Sequence, residues 1–276
     1  MRKSIYNLLM WSGAFASGGG SSGGGTGGGV ADFPIGDGNT HIWVSIIDGY
    51  TAPRLKIVVN GTVTVDWGDG TAPDVLTTSV STWKDITHEY SKDGDYIITL
   101  TVDGELEFNG RWWFYSSSSN AADSVCRVEV KKVECGHGTS LVGATFGGMS
   151  SLSDIIIPEG VTSIGDSMCS SLYSLIRVDI PEGVTSIGRS AFTSCSSLPS
   201  VSMPKSVTSI GDMAFTNCVG VSYYDFTKHT TVPALSGTYS FMNIASDCEI
   251  RVPAALVDEW KAATNWSSVA SKIVGV

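Results

Sequence analysis

The feature that most constrains the fold is a 23-residue repeat in the second half of the chain. The string IPEGVTSIG occupies Ile157–Gly165, recurs at Ile180–Gly188 and returns as MPKSVTSIG at Met203–Gly211. One apolar column through the repeat consists of Phe146, Cys169, Phe192 and Phe215. A fixed period of about 20–30 residues with apolar columns is typical of a solenoid, because each coil must stack on a neighbour to bury its apolar face. The sequence therefore predicts a mainly β protein with a short β-solenoid across 125–237.

The repeat changes at its C-terminal end. Phe241 lies 26 positions after Phe215, which indicates an insertion in the last of about five coils. Pro253 is suited to the first turn of a helix. The apolar residues that follow at helical spacing are Leu256, Val257 and Trp260. We therefore predict that residues 238–276 form a modified last repeat and a helical cap.

The repeat resembles the BspA-like leucine-rich repeat of bacterial surface proteins. The matching residues of one unit are Ile180, Pro181, Val184, Ile187, Gly188, Ala191, Phe192 and Cys195. Those of the next unit are Met203, Pro204, Val207, Ile210, Gly211, Ala214, Phe215 and Cys218. Met168-Cys169 replaces Ala-Phe in the first unit. The resemblance implies surface display and adhesion, and it brings no catalytic residues.

Residues 31–108 show alternating β-branched runs separated by turn signals, among them Asn60-Gly61 and Asp69-Gly70. This pattern predicts a small antiparallel β-sandwich. The motifs VDWGDGT at Val65–Thr71 and HEYSKDGDYIITLTV at His88–Val102 resemble the polycystic-kidney-disease (PKD) type immunoglobulin-like module. That resemblance implies a spacer or binding unit.

Two acidic residues in the first PKD-like motif could suggest a cation site. We favour turn formation for Asp66 and Asp69, because carboxylates beside a glycine turn commonly accept backbone N–H bonds. His88 is expected to be a packed or hydrogen-bonded residue, since no nucleophile accompanies it.

Composition and motifs exclude several classes of function. A net charge of −10 without a Lys/Arg stripe argues against nucleic-acid binding. No apolar run reaches the roughly 18–20 residues that span a bilayer. No cysteine pair has the CxxC spacing of a zinc site. Hydrolase, zinc-protease and phosphate-loop motifs do not occur either, so we predict a non-enzymatic protein with no metal and no cofactor.

Cys195 and Cys218 occupy one repeat column, where other members are Met149 and Leu172. A buried thiol in the core is the favoured interpretation, and a disulfide between coils is the alternative.

The N-terminal residues 1–16 resemble a signal peptide, with Arg2 and Lys3 before a short apolar core. The alternative is a docking segment that buries its apolar residues against a virion protein. The residues proposed for that contact are Ile5, Leu8, Leu9, Trp11 and Phe15. Residues 17–30 are rich in glycine and serine, which predicts a flexible tether.

Four consecutive aromatic residues dominate the connector at 109–124. They are Trp112, Trp113, Phe114 and Tyr115. Neighbours on a strand point to opposite sides, so some should be exposed or covered by another element. We consider two alternatives: a ligand contact through Trp112, Trp113 and Tyr115, or a cover over the open end of the solenoid.

Solvent-facing positions of the repeat strands form the other predicted contact surface. The candidate ligand-binding residues there are Asp154, Arg177, Asp179, Tyr223 and Asp225. Together these features predict a displayed, non-catalytic recognition protein. A homo-oligomer and a monomer are both compatible with the sequence. The favoured carrier is a bacteriophage virion that contacts a bacterial surface protein or glycan. The alternatives are a secreted bacterial adhesin at the cell surface and a purely structural spacer.

Overall fold

The computed structural model describes residues 37–46, 53–109, 114–116, 128–134, 139–142, 145–157 and 159–276. The signal-like or docking segment, the tether, Trp112 and Trp113 lie outside these residues. The predicted mainly β class is confirmed, because most described elements are strands and the helical turns are confined to the C-terminal end.

Four long strands form the N-terminal part of the chain. They are β1 (Thr40–Ile46), β2 (Pro53–Asp66), β3 (Asp74–Thr87) and β4 (Gly94–Asn109). Strand β4 pairs antiparallel with both β1 and β2, and β2 also pairs antiparallel with β3. Alternate apolar residues point into the core, where Ile42, Val44, Val63 and Val65 are fully buried.

The predicted turn at Asn60-Gly61 is wrong. Both residues lie inside β2, which continues through them to Asp66. Gly61 has φ +125° and sits opposite Gly104, which has φ +127°, at an irregularity in the β2–β3 register. Positive φ at these two glycines lets two strands approach closely, and the chain does not reverse.

Three further strands extend the N-terminal sheet: β5 (Phe114–Ser116), which pairs with β2, β6 (Val128–Glu134) and β7 (Thr139–Val142). Strand β6 pairs antiparallel with β1 and parallel with β8 (Asp154–Ile156), the next repeat strand. Strand β7 pairs parallel with β4. The N-terminal strands and the first repeats therefore share one nine-stranded sheet. A separate PKD-like sandwich is not confirmed and stays a prediction.

The repeats stack through two parallel ladders. The first ladder begins with β8. It continues with β10 (Arg177–Asp179), β12 (Ser200–Ser202), β14 (Tyr223–Asp225) and β16 (Glu249–Val252). The second ladder consists of β9 (Ser163–Ile164), β11 (Ser186–Ile187), β13 (Ser209–Ile210) and β15 (Ala234–Leu235). Partners such as Ile187 and Ile210 are 23 residues apart, as the sequence period predicts, and Tyr224 pairs with Ile250 at a spacing of 26 residues, across the insertion.

Stacked aromatic rings fill the centre of the repeats. The rings of Phe192 and Phe215 are 5.3 Å apart between centroids, and those of Phe215 and Phe241 are 5.5 Å apart. Phe146 and Cys169, the earlier members of the same column, are fully buried. Each coil therefore supplies one core side chain to a continuous row.

A short C-terminal segment covers the last coil. It contains a 3-10 turn (Ala254–Leu256), α1 (Val257–Ala262), a second 3-10 segment (Trp266–Lys272) and β17 (Ile273–Gly275). Trp260 and Trp266 are fully buried against the last repeats. Strand β17 continues the ladder by pairing parallel with β16. Together these elements form the C-terminal cap.

Candidate recognition face

The strands of the first ladder present a regular outward surface. In each of them the central residue points inward and its two neighbours point to solvent or are half-buried. Neighbouring paired strands lie about 4.8 Å apart, so outward side chains stand in rows. We call this surface the strand face, and its members are Asp154, Ile156, Arg177, Asp179, Ser200, Ser202, Tyr223, Asp225, Glu249 and Arg251.

On β10, Arg177 and Asp179 pair with each other. The Arg177 Nε donates to Asp179 Oδ2 at 3.0 Å, and the two side chains are 46% and 55% exposed. An exposed ion pair of this kind contributes only about 0–1 kcal/mol to stability. The pair is therefore accessible to a ligand without a large loss of folding free energy.

The ring of Tyr223 on β14 is covered by the guanidinium group of Arg251 on β16. The guanidinium carbon of Arg251 lies 3.9 Å from the centroid of the Tyr223 ring. The Nε of the same arginine donates to Glu249 Oε2 at 2.8 Å. The stacking and the ion pair fix both side chains, so they form an ordered polar and aromatic patch.

The sequence prediction missed Glu249 and Arg251. The insertion, which lengthens the spacing to 26, moves them away from the 23-residue columns. The match of Ile250–Pro253 to Val201–Pro204, at a spacing of 49, was the signal that could have placed them in the same rows as Ser200 and Ser202, two coils further along.

Two predicted carboxylates on the face have local partners. Asp225 Oδ1 accepts hydrogen bonds from the backbone N–H of Thr227 at 2.9 Å and from its hydroxyl at 2.7 Å. Asp154 Oδ2 accepts one from the hydroxyl of Ser153 at 2.7 Å. Both side chains are half-buried and hold the ends of their strands.

Tyr115 is the described residue of the predicted aromatic contact, and it is not next to this face in the sheet order. The backbone of Tyr115 lies in β5, which pairs with β2. Strands β6, β1 and β4 separate β2 from β8, and Tyr223 and Asp225 belong to a different sheet. The roles of Trp112 and Trp113 stay predictions.

The WGDG turn is held together by hydrogen bonds, which confirms the predicted roles of its acidic residues. Asp66 Oδ1 accepts from the backbone N–H of Gly68 at 2.9 Å, and Asp69 Oδ1 accepts from that of Thr71 at 3.1 Å. His88 Nε2 lies 2.8 Å from Asp69 Oδ2. Burial alone would raise the pKa of Asp69, but the hydrogen bonds from Thr71 and His88 outweigh it and lower that pKa.

His88 is a packed residue, as expected. Its ring stacks on Trp67 at 4.8 Å between centroids and meets Tyr90 edge-on at 4.7 Å. The Tyr90 hydroxyl donates to the Trp67 carbonyl at 2.9 Å. Among the described residues, no group of three or more His, Cys, Asp or Glu could hold a metal ion.

Cys195 and Cys218 are free, buried thiols, which decides between the two alternatives for this column. The Cys195 thiol donates to the Cys169 carbonyl at 3.1 Å, and the Cys218 thiol donates to the Phe192 carbonyl at 3.0 Å. Burial raises the pKa of the Cys218 thiol to about 12 and raises that of Cys195 further. Thiols with such high pKa values are not nucleophiles near neutral pH.

One buried histidine lies between the last repeats and the C-terminal cap. His229 is 3% exposed, and its ring meets Phe226 at 5.2 Å and Trp260 at 6.2 Å. Its Nε2 contacts the Val207 carbonyl at 3.2 Å, and its Nδ1 has no hydrogen-bond partner among the described residues. Burial lowers the pKa of His229 from about 6.5, although the hydrogen bond to Val207 and the charges of Glu182 and Asp225 oppose this.

We expect His229 to make the protein less stable in mild acid. The unfolded chain binds a proton near pH 6.5, whereas the folded chain binds it only at a lower pH, so the free energy of unfolding falls as pH drops below about 6.5. Urea unfolding at several pH values between neutral and mildly acidic measures this slope. His229→Phe keeps an aromatic ring in place and should flatten the slope; an unchanged slope would show that other groups cause it.

No helix in the described part of the chain combines the length and the apolarity that a membrane span requires.

Comparison with known proteins gives a family match for the repeats. Residues 127–248 match the BspA type leucine-rich repeat region, in six copies. A search of curated proteins gave no match. The solved structures that match include a leucine-rich repeat protein from Bacteroides ovatus, with 27% sequence identity over 45% of this chain and 34% of that chain, at a TM-score of 0.35. They also include a leucine rich cell surface protein from Faecalibacterium prausnitzii, with 32% identity over 38% of this chain and 31% of that one, at a TM-score of 0.29.

The matched region spans about a third of the length of each of these two solved proteins. Six copies are matched, one more than the roughly five coils predicted from the repeat columns. The PKD-like resemblance of the N-terminal strands is not shown by these comparisons and stays a prediction. The predicted BspA-like resemblance is confirmed: the second half of this chain contains a region similar to the BspA type leucine-rich repeat family.

Proposed function

We propose that this protein is a non-catalytic recognition protein, displayed outside the cell, and that the strand face is its contact surface. The observation that supports the proposal most is the ordered patch of Tyr223, Arg251 and Glu249 on stacked repeats of the BspA type. Tyrosine and arginine are enriched among residues that dominate binding energies, and a rigid stack keeps them in place before binding.

The chemistry of the face favours binding over catalysis. Arg177 pairs with Asp179, and Arg251 pairs with Glu249. The free thiols of Cys195 and Cys218 are buried and have raised pKa values. The strand face includes no histidine or cysteine that could act as a base or a nucleophile in covalent catalysis.

The proposal includes two alternative carriers for the displayed chain. A virion component would use the apolar segment at 1–16 as a dock and the 17–30 tether as a spacer, whereas a secreted adhesin would lose that segment. Both segments lie outside the described residues, so the choice stays a prediction. Mass spectrometry of the native N-terminus tests it: a mature chain that starts at Ser17 contradicts docking, and an intact Met1 contradicts secretion.

Loss of the Tyr223 patch should weaken binding to the natural surface. The fluorescently labelled full chain is applied to intact bacterial cells and to a glycan array, and binding is titrated. We expect Tyr223→Ala and Arg251→Ala each to reduce the affinity by about tenfold or more, since central aromatic and arginine residues commonly account for about 2 kcal/mol.

Tyr239→Ala is the matched control, because Tyr239 is an exposed tyrosine, 52% accessible, in the turn that follows β15. Equal losses in Tyr223→Ala and Tyr239→Ala would remove the special role of the strand face. A wild-type chain that binds no cell and no glycan would support the structural spacer instead.

A further inference from the structure

The second ladder has an outward surface of its own, separate from the strand face. Strands β9, β11, β13 and β15 form one four-stranded parallel sheet. The outward residues in and just before these strands carry no charge, and most of them carry a hydroxyl group. We call this surface the hydroxyl face, and its members are Thr162, Ser163, Thr185, Ser186, Thr208, Ser209 and Ala234, all exposed or half-buried.

Three hydroxyl groups of this face donate hydrogen bonds within the chain. Thr185 Oγ1 donates to the Thr162 carbonyl at 3.0 Å, and Thr208 Oγ1 donates to the Thr185 carbonyl at 3.2 Å. Ser186 and Ser163 share a hydrogen bond of 2.9 Å between their Oγ atoms. A polar group that keeps its hydrogen bond loses little free energy when it leaves water. Another surface can therefore cover this face at a low desolvation cost.

Charged side chains line one margin of the hydroxyl face. In each coil, one exposed residue in the turn that precedes the strand is charged. These residues are Glu159 before β9, Glu182 before β11, Lys205 before β13 and Lys228 before β15. The ion pairs of the described residues involve other side chains, so these four charges are not neutralised within the chain. The margin is thus acidic at one end of the sheet and basic at the other.

The opposite margin carries a second order of charges, in the turns that follow the strands. Asp166 follows β9, Arg189 follows β11 and Asp212 follows β13, whereas the uncharged Thr238 follows β15. The backbone N–H of Arg189 donates to Asp166 Oδ1 at 2.7 Å, which ties the first two of these turns together. The Arg189 side chain itself is exposed.

We propose that the hydroxyl face binds a second copy of this chain, with the two stacks antiparallel. The twofold axis would lie in the interface, between β11 and β13, and would reverse the order of the coils. Glu182 would then meet Lys205 of the other copy, and Glu159 would meet its Lys228. On the opposite margin, Arg189 would meet Asp212 of the other copy. Charge complementarity of this kind fixes both the partner and its direction.

A parallel pair of stacks would not match in this way. A twofold axis along the stack brings the two margins of the same coil together. Glu159 would then face Asp166 of the other copy, and two like charges in contact are unfavourable. Of the two arrangements, only the antiparallel one avoids like-charge contacts on both margins.

The size of the face predicts a weak, reversible dimer. Four strands about 4.8 Å apart and the eight residues from Glu182 to Arg189 cover roughly 300–400 Å². Standard stable interfaces bury about 800 Å² on each partner. We therefore expect a dissociation constant in the micromolar range, and an association that salt weakens because the charged margins are exposed.

The dimer would leave the strand face uncovered, because the strand face belongs to the first ladder. Two copies of the strand face would then be displayed by one assembly. The proposal does not depend on the function proposed above: it concerns association of the chain with itself and is tested without any ligand.

Sedimentation velocity of the full chain over a range of concentrations tests the dimer. We expect association of the wild type at about 0.05 M salt and dissociation at about 0.5 M. Lys205→Glu places like charges opposite each other at two symmetry-related contacts and should weaken association about tenfold or more. Lys261→Glu is the matched control, since it makes the same charge change at an exposed position of α1. A wild type that stays monomeric at about 1 mM in low salt contradicts the proposal.

A charge exchange tests the antiparallel order. Glu182→Lys and Lys205→Glu should each self-associate weakly, whereas an equal mixture of the two variants should form a heterodimer, because opposite charges meet again at both contacts. The same two changes in one chain should restore the wild-type affinity. A mixture that associates no better than either variant alone contradicts the antiparallel pairing. A wild-type dimer that Lys205→Glu leaves unchanged would show that the chain associates through another surface.

Discussion

Gly61→Ala should lower the free energy of unfolding of the N-terminal strands by about 3 kcal/mol or more, from backbone strain together with overpacking. A Cβ at Gly61 would lie 2.2 Å from the Asp103 carbonyl oxygen and 2.9 Å from the Gly104 Cα. Those are backbone atoms of the paired strand, so a rotamer change cannot relieve the contact. In addition, φ of +125° is strained for any residue with a side chain.

Gly70→Ala separates the two causes. Gly70 also has positive φ, +81°, but no atom lies within 4 Å of the position of a Cβ. Strain without a clash should lower stability by only about 1–2 kcal/mol. Urea unfolding followed by circular dichroism, with hydrogen exchange in β2 and β4, measures both variants. Equal effects would show that the close approach of Gly61 to Gly104 is unimportant.

Trp266→Ala should detach the C-terminal cap and destabilise the last coils by about 3–5 kcal/mol, the usual range for a buried tryptophan. Trp266 is fully buried and packs edge-on against Trp260, with centroids 4.7 Å apart, and against Phe226 at 5.6 Å. Its indole N–H donates to the Pro233 carbonyl at 2.8 Å, just before β15. Beside it, the Asn265 side chain donates to the Leu235 carbonyl at 2.6 Å.

These side-chain donors replace the strand that would follow β15. The last strand of a ladder leaves carbonyl groups without a strand partner, and a buried unsatisfied carbonyl costs about 1–3 kcal/mol. Trp266→Phe keeps most of the ring packing and removes only the donor, so its effect should be about 1–3 kcal/mol. Unfolding curves from calorimetry or urea give both values. If Trp266→Phe is as stable as the wild type, the indole hydrogen bond does not protect this edge.

The repeats could be read from the sequence because each coil meets the same surroundings. Phe192 and Phe215 lie 23 residues apart and stack on each other, so a column of letters corresponds to a row in space. The outward positions of β10 and β14 follow from the same register. The roles of the acidic residues in the WGDG turn could also be predicted from the sequence, because their hydrogen-bond partners are only two residues away.

Contacts between distant, unlike segments could not be read in this way. Asn60-Gly61 has the local chemistry of a turn, but its conformation is decided by Gly104, 43 positions later. The pairing of β6 with β1 joins segments of different pattern, so no column reveals it. On the candidate face, the insertion displaced Glu249 and Arg251 from the period.

The two ends of the stack are closed by different parts of the chain, and this affects how its length can change. Strands β6 and β7 attach the first coil to the N-terminal sheet, and the C-terminal cap closes the last one. Between these two closures, each coil contacts only the coils next to it, through positions that recur with the repeat. Duplication or loss of one 23-residue unit in the middle would therefore leave both closures intact. Gene rearrangements within the repeat could lengthen the contact surface in equal steps, and a designer could insert a coil with altered outward residues.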